Sequence, residues 1–558
     1  MQTLHFPYWP NISKSLKVPE TSLYDNLKVS AMRYPDHTAI IYYGNKISFK
    51  QLDEEVIALA GYMQQKFAVA AGEKVLLFMQ NSPQFVIGYY AILRANAAVV
   101  PINPMLTGNE LEFYVRDCEI KTALISQELY EQVAPLLGKT TLCNLIIAAY
   151  SDYTGDNFPG VVPKEAEAPR HIYSEENHYL WSEAVGAGYI PSEHTAKADN
   201  LAVLPYTSGT TGLPKGCMHT NHTVQANTVG AYYWSRTTTN AVHLMTLPLF
   251  HVTGMVHSMH MPIFGGSTMV IMTRWNRETA VELLKNQGCT HWVAIATMIV
   301  DFLANPNLKA EDLATLTSIS GGGASLPEAV GEKLYKMTGL RYVEGYGLSE
   351  TIAQTHFNPA DRPKMQCLGI PSFDVDARII EPATGKELGV GEIGEIIVNG
   401  PQVMTGYYNR DDENRSAFIE HDGKKFFRTG DIGRYDEEGY FFIVDRVKRM
   451  INASGFKVWP TEVESYLYKH PAIQQACVVG VPDPRRGETV KAFVILNEEA
   501  EGKVTEQDII DWAKEYMAAY KYPRYVEFKK EFPVTSSGKI LWRKLQEEEW
   551  QKAETKVE

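Results

Sequence analysis

Short apolar runs recur along the first half of the chain, at 75–79, 98–102, 122–125, 145–148 and 268–272. Apart from Thr122 and Thr268 at two of the starts each is apolar, the pattern of a strand covered on both faces. Between them the apolar positions change to helical spacing. Residues 49–66 show it, with Ser48 ahead as an N-cap, and 276–287 read the same way. Alternating strand and helix predict an α/β protein on largely parallel sheets.

From about residue 374 the texture changes. The runs 377–380, 395–398 and 439–444 are short, and turns containing Gly and Asp separate them. They predict a β-rich subdomain over about 374–445. A charged stretch, 445–449, leads into an α+β pattern: helix 460–470, strands 476–481 and 490–496, helix 505–519. The expected layout is a large domain of mixed, largely parallel sheets with helices over 1–445, then a small α+β domain over 446–558.

Composition narrows the function classes. The chain has 558 residues, 45% apolar and 21% charged, which is too long for one compact core and ordinary for a globular protein. A net charge of −13 carries no sign of the basic face that nucleic acid needs. No run of 18 apolar residues predicts a spanning helix, and residues 1–16 hold no secretory signal. Six cysteines without a C-x-x-C pair read as scattered, mostly buried thiols of a reducing compartment. A cytoplasmic location is expected, with contact at a membrane surface left open. Monomer and homodimer both remain open.

The strongest chemical signal is 206–216, Tyr-Thr-Ser-Gly-Thr-Thr-Gly-Leu-Pro-Lys-Gly. Glycines let a backbone come close to a phosphate, and successive N–H groups then form an anion nest. Hydroxyls from Thr207, Ser208, Thr210 and Thr211 add donors, and Lys215 adds positive charge. The spacing is not a Walker A loop, because the sixth position from Gly209 is Pro214. Two weaker patterns fail in context. Residues 389–394 satisfy G-x-G-x-x-G but precede a strand, and Cys217, His219 and His222 lack a fourth zinc ligand at matching spacing.

The segment 207–216 resembles the phosphate loop of the adenylate-forming enzymes: acyl-CoA synthetases, peptide-synthetase adenylation domains and luciferases. Further blocks similar to theirs follow in order: 320–325 (Ser-Gly-Gly-Gly-Ala-Ser), 345–351 (Gly-Tyr-Gly-Leu-Ser-Glu-Thr), 428–431 (Arg-Thr-Gly-Asp), the hinge block 446–458 and the lysine block 533–539. The resemblance implies two-step chemistry, with an acid adenylated by ATP and the acyl group then passed to coenzyme A. It implies nucleotide contacts from Thr207, Ser208, Gly209, Thr210, Thr211, Gly323, Ala324, Ser325, Glu344, Gly345, Tyr346, Gly347, Ser349, Asp431, Ile443, Arg446 and Lys539. Tyr346 would stack on adenine, and Asp431 and Arg446 would hold the ribose. Glu350, with Thr207, Thr211 and the ATP phosphates, would hold Mg²⁺. Lys539 and Lys215 would steady developing charge.

The same resemblance implies that His251 positions the acid. Lys448 becomes the hinge, and Ser454, Gly455 and Phe456 line the thiol's approach. At 449 the family often carries an acid; Arg449 here adds a positive charge that would suit the CoA phosphates. An acyl pocket is expected from 252–261, 321–324, 346–347 and 351–354, with Val252, Met255, Gly322, Gly347 and Ile352 in its wall. These residues supply no charge for a second carboxylate, which favours a medium- or long-chain fatty acid. An aryl acid of the benzoate or coumarate type, or an acyl-AMP ligase loading a carrier protein, is the alternative.

Overall fold

The helices start where their caps predict. Helix Phe49–Phe67 has Ser48 accepting from the Gln51 N–H, and helix Arg277–Gln287 has Asn276 accepting from the Thr279 N–H. The computed structural model describes residues 8–156, 158–207, 213–323, 325–446, 449–453, 456–483, 486–534 and 540–554, with backbone alone at 446, 456, 457, 498, 553 and 554. Two compact units emerge, one of residues 1–376 with 398–427 and one of 377–397 with 428–558. The stretch 374–445 is shared between them.

The first unit holds two large sheets. In the seven-stranded sheet the order is His219–Thr220, Leu201–Val203, Ala98–Pro101, Lys74–Phe78, Thr122–Ser126, Asn144–Ala148, His178–Leu180, and every pair after the first is parallel. The nine-stranded sheet runs Ile370–Pro371, Ala353–Phe357, Val343–Leu348, Ser318–Gly322, His291–Val293, Val242–Met245, Thr268–Ile271, Thr38–Tyr42, Asn45–Ser48. Its interior is parallel and its ends antiparallel. Helix Pro83–Arg94 is buried along nearly its whole length. Its Phe85, Ile87, Tyr89 and Ile92 share one apolar cluster with Val75 and Leu77 of one sheet and Ile40, Met245 and Met269 of the other. A helix apolar all round belongs in such a place.

One polar side chain ties the two sheets together near the site. Asn81 is buried just beyond strand Lys74–Phe78. Its Nδ2 donates to the carbonyls of Leu247 (2.9 Å) and Met272 (3.3 Å), and its Oδ1 accepts from Leu249 N (2.9 Å). It thereby fixes the chain leaving strand Val242–Met245.

In the second unit, 428–435 pairs antiparallel with Phe441–Arg446. The long hairpin Ile473–Asp483 and Gly487–Leu496 anchors a further sheet, to which Tyr525–Phe528 adds in parallel. Helices Pro460–Leu467 and Glu506–Tyr516 bury Val463, Leu467, Ile509 and Ala513 in one cluster with Val478 and Val494. The expected fold class, large α/β followed by small α+β, holds. The six cysteines are free thiols and only Cys143 is exposed. Among the described residues no helix is long and apolar enough to cross a membrane.

Replacing Asn81 with Leu strands backbone groups of Leu247, Leu249 and Met272 in an apolar setting, at about 1–3 kcal/mol per buried unmet group. Urea unfolding of Asn81→Leu is expected to show a loss of at least about 2 kcal/mol; a smaller loss would mean that water replaces the amide.

Candidate functional site

The phosphate-loop segment is carried on a hairpin. Tyr206–Thr207 pairs antiparallel with Lys215–Gly216, Thr207 opposite Lys215. Ser208, Gly209, Thr210 and Thr211 lie outside the described residues. Both arms of the hairpin are braced. The Tyr206 hydroxyl donates to Asp117 Oδ2 (2.6 Å), whose other oxygen accepts from Arg410 Nη2 (2.8 Å). Along the second arm, Tyr408 N donates to Gly216 O (2.8 Å) and Met218 N to Gly406 O (2.9 Å). His219, wholly buried, donates through Nε2 to Ser349 O (2.8 Å).

These braces bring Lys215 and Glu350 to one tyrosine. The Tyr407 hydroxyl donates to Glu350 Oε1 at 2.8 Å, and Lys215 Nζ stands 4.3 Å from the Tyr407 ring centroid. Glu350 is half-buried, and its carbonyl accepts from Met404 N (2.8 Å). No described residue donates to its Oε2. The carboxylate retains the hard oxygen donor that a cation of the Mg²⁺ type requires.

The other described nucleotide residues predicted in this unit lie on or just beyond two adjacent strands. Ser318–Gly322 runs parallel to Val343–Leu348, with Gly322 opposite Gly345. A Cβ on Gly321 would stand 1.8 Å from Ala294 O, and one on Gly347 1.6 Å from Ala353 O. Gly323 and Ser325 are exposed, Tyr346 is buried beside His356, and Ala324 lies outside the described residues. Glu344 is occupied: Oε1 accepts from Leu326 N (2.9 Å) and Oε2 from Cys367 N (3.2 Å). Burial pushes its carboxyl up to about 7 against those hydrogen bonds. The chain then turns through Ile352 (φ +41°) and Ala353 (φ +86°), both left-handed. Asn227 Nδ2 holds this turn by donating to Thr351 O (2.9 Å) and Ile352 O (2.7 Å).

The expected acyl wall contains a π-helix, Gly254–His260. Such wide turns are rare and concentrate at functional sites. Gly254 permits it, since a Cβ there would stand 2.3 Å from Pro248 O. Val252, Met255 and Ile352 fall in one apolar cluster. His251 is half-buried, with its ring against Phe250. His257 and His260 are buried, and burial lowers them to about 4 and about 3. This segment therefore carries no charge at neutral pH.

In the second unit Asp431 is buried opposite Arg446, and Ile443 stands opposite Gly433. Glu395 shapes the approach to Asp431. It accepts from Arg428 Nη2 (2.5 Å) and from Gly430 N (3.2 Å), with Gly430 at φ +70°. Lys448, Ser454, Gly455 and Lys539 lie outside the described residues, as do the side chains of Arg446 and Phe456. Arg449 corrects an expectation. It is no spare cation for CoA phosphates: its Nη2 pairs with Glu464 (2.5 Å) and donates to Val478 O (3.1 Å), and its Nε lies 3.8 Å from Asp445. Its guanidinium also lies over Trp542, 5.6 Å from the ring centroid. A cation buried among two carboxylates serves the packing of its own unit.

The AMP-binding enzyme pattern matches residues 27–408, and the AMP-binding enzyme C-terminal domain matches 462–539. The chain belongs to the AMP-binding enzyme family. A Bacillus subtilis long-chain-fatty-acid–CoA ligase is 36% identical over 555 residues, 97% of each chain. An Amycolatopsis feruloyl-CoA synthase is 30% identical over 512 residues, 91% of this chain and 95% of that one. The crystal structure of ATP-bound MatB from Rhodopseudomonas palustris superimposes with a TM-score of 0.83 at 26% identity, over 95% of this chain and 99% of that one. The resemblance drawn from the signature blocks and the fold class expected from the texture both hold.

Within this AMP-binding enzyme the structure brings Thr207, Lys215, Ser349 and Glu350 onto one braced framework. Tyr407, Asp117, Arg410, Asn227 and Glu395 were missed. Each acts through a partner far along the chain, and only the Tyr-Tyr-Asn-Arg run at 407–410, unusually dense in hydrogen-bonding side chains, offered a signal.

Two outcomes follow from the charges. Arg449→Met removes one partner of a buried ion pair, which costs about 3 kcal/mol. Hydrogen exchange in strand Ile473–Asp483 is expected to speed accordingly, and unchanged protection would show the pair carries no weight. Separately, His219, His257 and His291 are held by burial at about 4, and His260 and His356 at about 3. The unfolded chain protonates them near 6.5, so below that pH it binds more protons than the folded one, and stability falls. The urea midpoint should drop from pH 7 to pH 5; a flat profile would contradict neutral buried imidazoles.

Proposed function

We propose that this protein is an ATP-dependent acid–CoA ligase acting on medium- or long-chain fatty acids. The observation that carries the acid's class is the buried π-helix Gly254–His260, which presents Met, Val and neutral imidazoles and no fixed charge. An apolar tail meets no desolvated ion there. The Bacillus subtilis relative, named for long-chain fatty acids, supports the same choice. The feruloyl-CoA synthase keeps an aryl acid as the second reading.

In the first step a carboxylate oxygen of the acid attacks the α-phosphorus of ATP, and the bond to pyrophosphate breaks. In the second the CoA sulfur attacks the acyl carbonyl, AMP leaves, and the thiol proton is released. Adenylation is needed because AMP leaves far more readily than oxide. Thr207, Ser208, Gly209, Thr210, Thr211 and Lys215 hold the phosphates. Glu350, with Thr207 and Thr211, fits the Mg²⁺ that travels with ATP; bound there, the ion would neutralise phosphate charge. Lys539 steadies the negative charge that develops during adenylation. Tyr346 faces the base, and Asp431, Ile443 and Arg446 form the ribose wall. His251 positions the acid, Lys448 is the pivot, and Ser454, Gly455 and Phe456 receive the thiol. We place the enzyme in the cytoplasm, as monomer or homodimer.

Pyrophosphate release across acetate, octanoate, palmitate and benzoate, with and without CoA, tests this. Release peaking at octanoate or palmitate and turning over only with CoA is expected. A peak at benzoate would transfer the assignment to the aryl reading. Lys539→Ala should slow adenylation by about 10²–10³-fold; a change below tenfold would remove Lys539 from the chemistry.

A further inference from the structure

Tyr407 stands between two groups of opposite charge. Its hydroxyl donates to Glu350 Oε1 at 2.8 Å, and its ring face carries the Lys215 ammonium 4.3 Å from the centroid. No ion pair joins Lys215 to Glu350. In a half-buried setting these charges attract strongly, and a direct contact would use up both. The ammonium would then bring little net charge to a phosphate, and the carboxylate would already hold a cation. The tyrosine satisfies each group without neutralising either. Its π face receives the ammonium, and its O–H is a neutral donor to one carboxylate oxygen.

The residue is itself locked. Tyr407 N donates to Asn414 Oδ1 (2.6 Å), and Asn414 Nδ2 returns a hydrogen bond to Tyr407 O (2.8 Å). Its backbone also bridges to Cys217, within the hairpin arm that carries Lys215. A phenol is neutral at pH 7, so its O–H remains a donor.

We propose that Tyr407 is a positioning residue that keeps Lys215 and Glu350 from pairing and leaves Glu350 Oε2 as the oxygen offered to the metal ion of the nucleotide. The proposal rests on the reading of Glu350 as a metal ligand. Partners that orient a ligating carboxylate typically change metal affinity 10- to 100-fold when removed.

The test is Mn²⁺ binding, followed by electron paramagnetic resonance of the free ion, to the full chain saturated with α,β-methylene-ATP. Tyr407→Phe keeps the ring and loses the donor, and should weaken Mn²⁺ about tenfold or more while binding of the analogue in EDTA stays within twofold. Tyr407→Leu also loses the ring. With Lys215 then free to close on Glu350, it should weaken the analogue in EDTA as well. Glu350→Gln is the reference. If Glu350→Gln weakens Mn²⁺ but Tyr407→Phe stays within twofold of the parent, the positioning role falls and the ligand reading stands. If neither variant moves Mn²⁺, the Glu350 reading falls and takes the proposal with it. If Tyr407→Phe weakens metal and metal-free nucleotide alike, its role is only structural.

Discussion

Backbone crowding at one edge of the nine-stranded sheet is the constraint from which the site follows. At Gly321 and Gly347 there is no room for a methyl group, because carbonyls of Ala294 and Ala353 occupy the places where a Cβ would stand. Strands that approach so closely leave their own N–H and C=O groups, rather than side chains, to line the adjoining space. The chain must then reverse within a few residues, and it does so through Ile352 and Ala353 in left-handed conformations. Such residues cost about 1–3 kcal/mol each and persist only where the surroundings over-determine them. Asn227, with two hydrogen bonds to this turn, supplies that determination. Glu350 lies two residues ahead of the strained pair, so relaxing the turn would move its carboxylate.

The hairpin of the phosphate-loop segment faces the opposite problem. Its paired arms, Tyr206–Thr207 and Lys215–Gly216, are two residues each and too short to set their own direction. The arms are therefore held from outside. Asp117 and Arg410 secure Tyr206, the backbone of Gly406 and Tyr408 secures the second arm, and His219 ties that arm to Ser349. The segment 404–410 thus serves two masters, the hairpin and Glu350. Its polar side chains are spent on holding other residues in place.

Local pattern made most of the fold legible. Buried parallel strands are short apolar runs, and a capped helix announces its first turn, so Ser48 marked a real helix start. The family was equally readable from blocks of contiguous residues, because an anion nest needs its glycines and hydroxyls side by side. Partnership was not legible. Tyr407 and Glu350 are 57 positions apart, and Asn81 and Leu249 are 168 apart. Nothing in a single chain's sequence encodes such distances. Arg449 shows the converse failure. A charge in a charged stretch reads as exposed, yet Glu464, fifteen residues on, returns along helix Pro460–Leu467 to bury it.

Charge is distributed unevenly across the first unit, and that gives the proposed substrate a direction. The half-buried Lys215 and Glu350 stand on either side of the Tyr407 ring and hydroxyl. Around the π-helix the ionisable groups are imidazoles whose burial removes their charge at neutral pH. A carboxylate finds no cation in that segment, and leaving water there would cost it several kcal/mol uncompensated. An alkyl chain loses nothing by entering, and gains about 0.8 kcal/mol for each methylene buried. Under the proposed function, the acid's head is driven toward the hairpin and its tail toward Met255. Because the tail term grows with length and the head term does not, selectivity among acids has to reside in how far the apolar wall extends beyond Val252 and Ile352, and the phosphate-binding residues can remain the same whatever acid is used.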